Sequence, residues 1–231
     1  MIKVVFLDID NTLLSFSGYV KSSMRDGFAK FGLGEYNDEM FCTFERINNG
    51  LWKQLERGEL TFETLQQIRW NRIFEALNID FDGVAFERFF RDNLFSNAVP
   101  EDGATELLEY LSERYVLCVA SNGPYEQQIN RLRVADMHRF FKHFFISSAV
   151  GAQKPSREFF DHCFKCLRES GMTDLRPEES IIIGDSVTSD MAGGHSYGMH
   201  TCLYLRGQDK NEELPSAEYR VKELLDIKRI L

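Results

Sequence analysis

The stretch Lys3-Val4-Val5-Phe6-Leu7-Asp8-Ile9-Asp10-Asn11-Thr12 decides the fold. Four apolar residues, Val4 to Leu7, run straight into two carboxylates, Asp8 and Asp10. A short apolar run with β-branched members reads as a buried parallel strand. Charges at the carboxyl end of such a strand fall where open α/β sheets gather their ligands. Residues two apart on a strand face the same side, so Asp8 and Asp10 are expected to lie side by side. Two like charges there are costly unless a cation or a shared proton relieves them. Taken alone, the same residues read equally well as a strand end with two solvated Asp in a turn.

Downstream of Thr12 the pattern changes. From Phe16 to Asn97 the apolar spacing is helical, with no convincing strand. One helix runs from Val20 to Phe31 and stops at Gly32 and Gly34. Asn37 or Asp38 can cap a second through Phe44, Leu51 and Leu55, and Thr61 a third through Leu65, Phe74 and Leu77. A fourth spans Asp82 to Asn93. From Pro100 strands and helices alternate: strands at Val116–Ala120, Phe144–Ile146, Ser180–Ile183 and Thr201–Tyr204, and a short one near Tyr219–Val221 before a last helix. Alternation of this kind means a doubly wound parallel sheet with helices on both faces. The expected fold class is therefore α/β. Residues 1–15 and 98–231 form the core, and a helical subdomain, residues 16–97, is inserted after the first strand.

Composition narrows the function. The 231 residues are 43% hydrophobic and 27% charged, which is ordinary for a globular protein able to bury a core. Phe is unusually frequent, at 20 residues. With 27 basic against 36 acidic residues the net charge is −9, which argues against a nucleic-acid polymer or an anionic membrane as partner. A small phosphorylated substrate remains open, since a few local cations suffice for it. Five scattered Cys and no leader-like segment point to a reducing cytoplasm. No apolar run approaches the ~20 residues of a membrane span. Cys163-x-x-Cys166 lacks the second pair that zinc needs. It lies in a helix-like stretch, where the two thiols share one face and read as core packing. Monomer and homodimer both stay open.

Three further strand ends finish in polar residues: Ser121-Asn122-Gly123, the segment through Gly151 to Lys154-Pro155, and Gly184-Asp185 with Asp190 five positions on. Each alone reads as a turn, a loop lysine or a helix cap. If the strands are parallel neighbours, the ends converge and gather Asp8, Asp10, Ser121, Asn122, Lys154, Asp185 and Asp190. Three or four carboxylates without His or Cys suit a hard cation such as Mg²⁺, with Mn²⁺ as a substitute. A phosphoryl group there meets a hydroxyl, an ammonium and free backbone N–H groups around Asn122-Gly123 and Ile9-Asp10. One carboxylate can attack phosphorus while another serves the leaving oxygen.

In this order and spacing, Asp8-x-Asp10-x-Thr12, Ser121-Asn122, Lys154-Pro155 and Gly184-Asp185-x₄-Asp190 resemble the four motifs of the haloacid dehalogenase superfamily of phosphohydrolases. The similarity covers essentially the whole chain, and the helical insertion resembles that family's mobile cap. The resemblance implies Asp8 as nucleophile, forming an aspartyl-phosphate, and Asp10 as general acid and then base. Ser121 and Lys154 would bind phosphoryl oxygens, with Asn122 shaping that phosphate loop. Mg²⁺ would sit on the Asp8 carboxylate, the Asp10 backbone carbonyl and Asp185, with Asp190 orienting Lys154 or a metal-bound water. The family's dehalogenases typically lack an acid at the position of Asp10, which favours a phosphatase. Its sugar-phosphate mutases typically carry Gly at the position of Asn11.

The cap segment Asn48-x-x-Leu51-Trp52…Gly58…Thr61…Leu65-Gln66…Arg69 resembles that of the pyrimidine 5′-nucleotidase subgroup, as does Ile146 to Pro155. That implies a nucleoside 5′-monophosphate as substrate, ahead of phosphoglycolate or a sugar phosphate. A planar base wants an aromatic face, for which Phe16, Phe41, Trp52 and Trp70 are candidates, and polar contacts from Asn48, Gln54 and Arg46. Charge relief could come from Arg46, Lys53, Arg57, Arg69 and Arg72. Of these, Asn48, Trp52 and Arg69 are the expected specificity residues. A noncatalytic binding protein on the same fold would be expected to have lost Asp8 or Asp10, and both are present.

Overall fold

Val4–Leu7 is buried at every residue and forms the centre of a parallel sheet. A computed structural model of the chain describes residues 1–207 and 216–231. The elements run β1 Val4–Leu7, α1 Phe16–Phe31, α2 Asp38–Glu56, α3 Phe62–Leu77, α4 Gly83–Ser96, α5 Ala104–Ser112, β2 Val116–Ser121, α6 Tyr125–Val134, β3 His143–Ile146, α7 Ser147–Val150, α8 Arg157–Glu169, β4 Ser180–Gly184, α9 Ala192–Tyr197, β5 His200–Tyr204 and β6 Tyr219–Val221. The chain divides into two compact units, Met1–Ser15 with Ala98–Leu231, and Phe16–Asn97.

In the first unit the described strands lie in the order β3-β2-β1-β4-β5-β6, every neighbouring pair parallel. The chain winds from β1 through β2 to β3 in one direction, then returns to β4 and winds through β5 to β6 in the other. The switch point therefore falls between β1 and β4, where Asp8 N–H donates to the Ile183 carbonyl at 3.0 Å. Alternate residues of each strand serve opposite faces. Val5 and Leu7 pack with Leu107 and Leu111 of α5, Ile129 and Leu132 of α6, and Ile227 near the C-terminus. Val4 and Phe6 pack instead with Phe160, Phe164 and Leu167 of α8. Each fully buried Phe of this kind contributes roughly 1.5–3 kcal/mol. Cys163 lies fully buried in the second of these layers, where burial pushes its thiol pKa up, as expected of a packing residue.

Two short helical segments of this unit are not α-helical. The segment after β4 does not begin as an α-helix: Val187–Met191 is a turn of π-helix leading into α9. The last helix is 3₁₀, Leu224–Arg229. Both are short, and the 3.6-residue periodicity used to read them does not distinguish these tighter and wider turns.

The second unit is a bundle of α1 to α4 around Phe28, Phe44, Trp70, Phe74, Phe86 and Phe90. Asn37, Thr61 and Asp82 cap α2, α3 and α4 with side-chain oxygens. Most of the unusual Phe content of this half is spent here: Trp70 lies 4.3 Å from Phe86 and 5.3 Å from Phe90, ring centre to ring centre.

Candidate active site

β1 ends at Leu7, and the next residue, Asp8, carries its carboxylate toward the α8 side of the sheet. There the buried Lys154 ammonium donates to Asp8 Oδ1 at 2.8 Å, to Asp190 Oδ1 at 2.5 Å and to the Ala120 carbonyl at 2.5 Å. Those three bonds use all three of its hydrogens. The other oxygen of Asp190 accepts from Ser186 N–H at 3.1 Å. The chain can approach this closely because residue 184 is glycine: a Cβ there would sit 2.1 Å from Asp190 Oδ2. Asp190 thus joins the Lys154 ammonium to the loop after β4.

Asp8, Asp185 and Asp190 bring carboxylate oxygens within 4.8 Å of one another. Lys154 is the cation within hydrogen-bond reach, so three carboxylates face one ammonium. Burial pushes the Asp8 carboxyl well above the usual range; Lys154 opposes this, and Asp190 and Asp185 add to it. Burial likewise raises Asp185 from 3.8 to about 7, with Asp190 and Asp10 adding and Arg206 and Lys154 opposing. Burial would lower Lys154, but Asp190 and Asp8 outweigh it and raise it. Among the described residues Asp185 has no hydrogen-bond or ion-pair partner, and Asp8 Oδ2 accepts no hydrogen bond. An all-oxygen set with two negative charges in excess fits a hard divalent cation. Asp8 and Asp185 have carboxylate oxygens to offer it.

Asp10 has its own partners. Its carboxylate is not one of the three whose oxygens lie within 4.8 Å of one another. Arg131 Nη1 donates to Asp10 Oδ1 at 2.6 Å, and Gln128 Nε2 to Oδ2 at 2.8 Å, both from α6. Past the end of β1, Asn11 takes a left-handed backbone, φ 59°, and its N–H turns back to the Leu14 carbonyl. Asn tolerates that conformation better than most other non-glycine residues.

Ser121, at the tip of β2, accepts from Gln128 Nε2 at 3.0 Å. Asn122 forms a reciprocal pair with the Lys154 backbone: its Nδ2 donates to the carbonyl and its Oδ1 accepts from N–H, both at 2.9 Å. Its side chain therefore ties two loops together rather than reaching for phosphate. The Gly123 N–H, expected to be free for an anion, instead donates to Ser147 Oγ at 2.9 Å.

The expected specificity residues lie in the helical unit. Arg69 is buried and held by Glu87 in a two-pronged pair, Nη2 to Oε1 at 2.7 Å and Nε to Oε2 at 3.0 Å, while Nη1 donates to Asn48 Oδ1 at 3.1 Å. Both are thus bound up in the unit's own interior. Trp52 is half-buried, 5.9 Å from the Phe62 ring. Trp70 is wholly core, which removes it as a candidate base platform. Arg46, Lys53, Arg57 and Arg72 are exposed. Gln128 and Arg131 escaped the sequence reading because a Gln and an Arg three apart on a polar helix look like a solvated face. Their signal was position: α6 starts two residues after Ser121-Asn122-Gly123, so its first two turns lie beside the motif.

A family model for haloacid dehalogenase-like hydrolases matches residues 2–198. The chain belongs to that family. It is a hydrolase. The HAD-hydrolase YfnB of Bacillus subtilis is 29% identical over 229 residues, 99% of this chain and 95% of YfnB. A crystal structure of YfnB bound to magnesium superposes with a TM-score of 0.86, covering 100% of this chain and 98% of that one. Two pyrimidine 5′-nucleotidases are also similar over nearly their whole lengths. PynA of Streptococcus pneumoniae is 27% identical, covering 97% of this chain and 93% of PynA. YjjG of Escherichia coli is 26% identical, covering 98% and 96%.

Proposed function

We propose that the protein is a Mg²⁺-dependent phosphomonoesterase that hydrolyses nucleoside 5′-monophosphates through an aspartyl-phosphate on Asp8. The observation that carries the chemistry is the carboxylate cluster at the switch point, with an ammonium on Asp8 Oδ1 and Oδ2 left open. Its hydrolysis of phosphoric monoesters accords with the chain's family and its phosphatase relatives. Bound at Asp8 and Asp185, the cation would serve as a Lewis acid toward the phosphoryl oxygens.

The chain's own residues do the rest. Asp8 attacks phosphorus, its new O–P bond forming as the bond to the leaving alcohol breaks. Asp10 gives its proton to that departing oxygen. A water then yields a proton to Asp10 and attacks the same phosphorus. The acyl-phosphate O–P bond breaks, which frees Asp8 and inorganic phosphate. Ser121 steadies the phosphoryl group by hydrogen bonding, and Lys154 holds Asp8 in place and offsets its charge.

The nucleotide assignment is supported by the two nucleotidase relatives and by the resemblance of the helical unit to their caps. Glyceraldehyde 3-phosphate phosphatases also occur among the relatives, one at 22% identity, so a small sugar phosphate is the second reading. Five unpaired thiols accord with a reducing, cytoplasmic setting. Among the described residues no helix is long and apolar enough to cross a membrane. The test is a panel of phosphorylated metabolites with Mg²⁺, scored by phosphate release. Nucleoside monophosphates should lead, ahead of di- and triphosphates. A panel led by phosphoglycolate or a hexose phosphate would remove the nucleotidase assignment.

A further inference from the structure

We propose that Gln128 and Arg131 of α6 are positioning residues that aim both the Asp10 carboxylate and the Ser121 hydroxyl; the proposal rests on the phosphomonoesterase reading above. The four side chains form one connected network. Arg131 Nη1 donates to Asp10 Oδ1 at 2.6 Å and to Gln128 Oε1 at 2.8 Å, which uses both hydrogens of that nitrogen. Because Gln128 Oε1 accepts from Arg131, the other end of the carboxamide must be the donor. That end, Nε2, donates to Asp10 Oδ2 at 2.8 Å and to Ser121 Oγ at 3.0 Å. Donor and acceptor roles are thereby set throughout the network.

Two consequences follow for the chemistry. With both oxygens gripped, Asp10 cannot spin about its own side-chain bonds, although it is the least buried member of the network at 30% side-chain exposure. Ser121 Oγ accepts from Gln128 rather than donating to it, so its own O–H can point at a phosphoryl oxygen. One amide therefore coordinates the acid–base group with a phosphate-binding group. The loop leaves room for this: a Cβ on Gly123 would come within 3.2 Å of Gln128 Nε2.

Packing alone does not explain the arrangement. Gln128 and Arg131 are each only 1% exposed. Burying a guanidinium carries a desolvation penalty of several kcal/mol, and well-packed apolar residues commonly serve stability as well or better. Ile129 and Leu132 of the same helix show that its neighbouring positions do take apolar residues. The polar pair is spent on a carboxylate at the site edge, where orientation matters more than burial.

The test compares an alkyl phosphomonoester, a nucleoside monophosphate, with an activated aryl one, p-nitrophenyl phosphate, using the full chain with Mg²⁺. Removing the aim of the proton donor should penalise the alkyl ester, whose leaving oxygen needs the proton. In Arg131→Met, kcat/KM should fall about 100-fold for the alkyl ester and less than about 10-fold for the aryl ester. Arg131→Lys should restore part of the alkyl activity. In an Asp10→Asn background, Arg131→Met should cost no more than about twofold further, because the interaction it served is already gone. If Arg131→Met does not fold, as judged by circular dichroism, Arg131→Lys and Gln128→Met carry the same comparison. Equal losses on both substrates, or losses that multiply in the double variant, would overturn the assignment and leave a purely structural pair. Wild-type turnover unchanged in the variants would also overturn it, with the phosphatase reading intact. A wild-type protein inert on both esters would remove that reading, and this one with it.

Discussion

Asp8 sits between two demands. It must be ionised to attack phosphorus, yet burial pushes its carboxyl pKa well up. Lys154 at 2.8 Å offsets part of that cost, and a divalent cation on the open oxygen would offset the rest. Asp8→Asn keeps the shape and removes both the nucleophile and a metal ligand. Phosphate release should fall to background while circular dichroism and thermal melting show a folded protein. Asp10→Asn should reduce kcat/KM for nucleotides far more than for an aryl phosphate; equal losses would make Asp10 structural. Asp8, Asp10, Ser121, Lys154, Asp185 and Asp190 were all legible in the sequence, because each lies at or soon after the end of an apolar run and parallel strands bring such ends together. What their side chains touch was not legible. The partners of Asp10, Gln128 and Arg131, come from a helix more than 100 residues further along the chain.

The elements divide in the same way. Strand positions and helix caps followed from apolar runs and Asn, Thr and Asp signals, since those are local. The use of α6 was hidden, because its Gln and Arg serve groups more than 100 residues away in Asp10. In the helical unit, aromatic residues alone could not say which rings are core. The structure separates them, and two substitutions test the separation. Trp70→Ala should destabilise the protein by about 3–5 kcal/mol in chemical denaturation, as expected of a fully buried ring. Trp52→Ala, on a half-buried residue, should cost less stability and raise KM for a nucleotide more than for an aryl phosphate if Trp52 faces the base. Glu87→Ala leaves the buried Arg69 guanidinium without its carboxylate and should cost about 3–5 kcal/mol, with little change in kcat for an aryl phosphate.

Across the whole molecule, a chain of net charge −9 concentrates part of its acidity at one sheet edge, where metal-free folding works against repulsion. Asp185 reports that cost. Its folded value, about 7, lies above the ordinary 3.8, so its contribution to stability is fully present below about pH 4 and lost as pH rises through about 7. The melting temperature without metal should therefore fall over that window. Mg²⁺ should stabilise the protein, and more so at pH 8 than at pH 5, because it binds the ionised carboxylates. A Mg²⁺ effect independent of pH would place the ion elsewhere. The central claim is covalent catalysis by Asp8, and the most direct measurement is rapid acid quench during turnover of a nucleoside monophosphate, followed by mass spectrometry of the peptides. The account predicts a phosphoryl group on Asp8 in the wild type and none in Asp8→Asn. Phosphate release that persists in Asp8→Asn, or a phosphoryl group on any other residue, would contradict it.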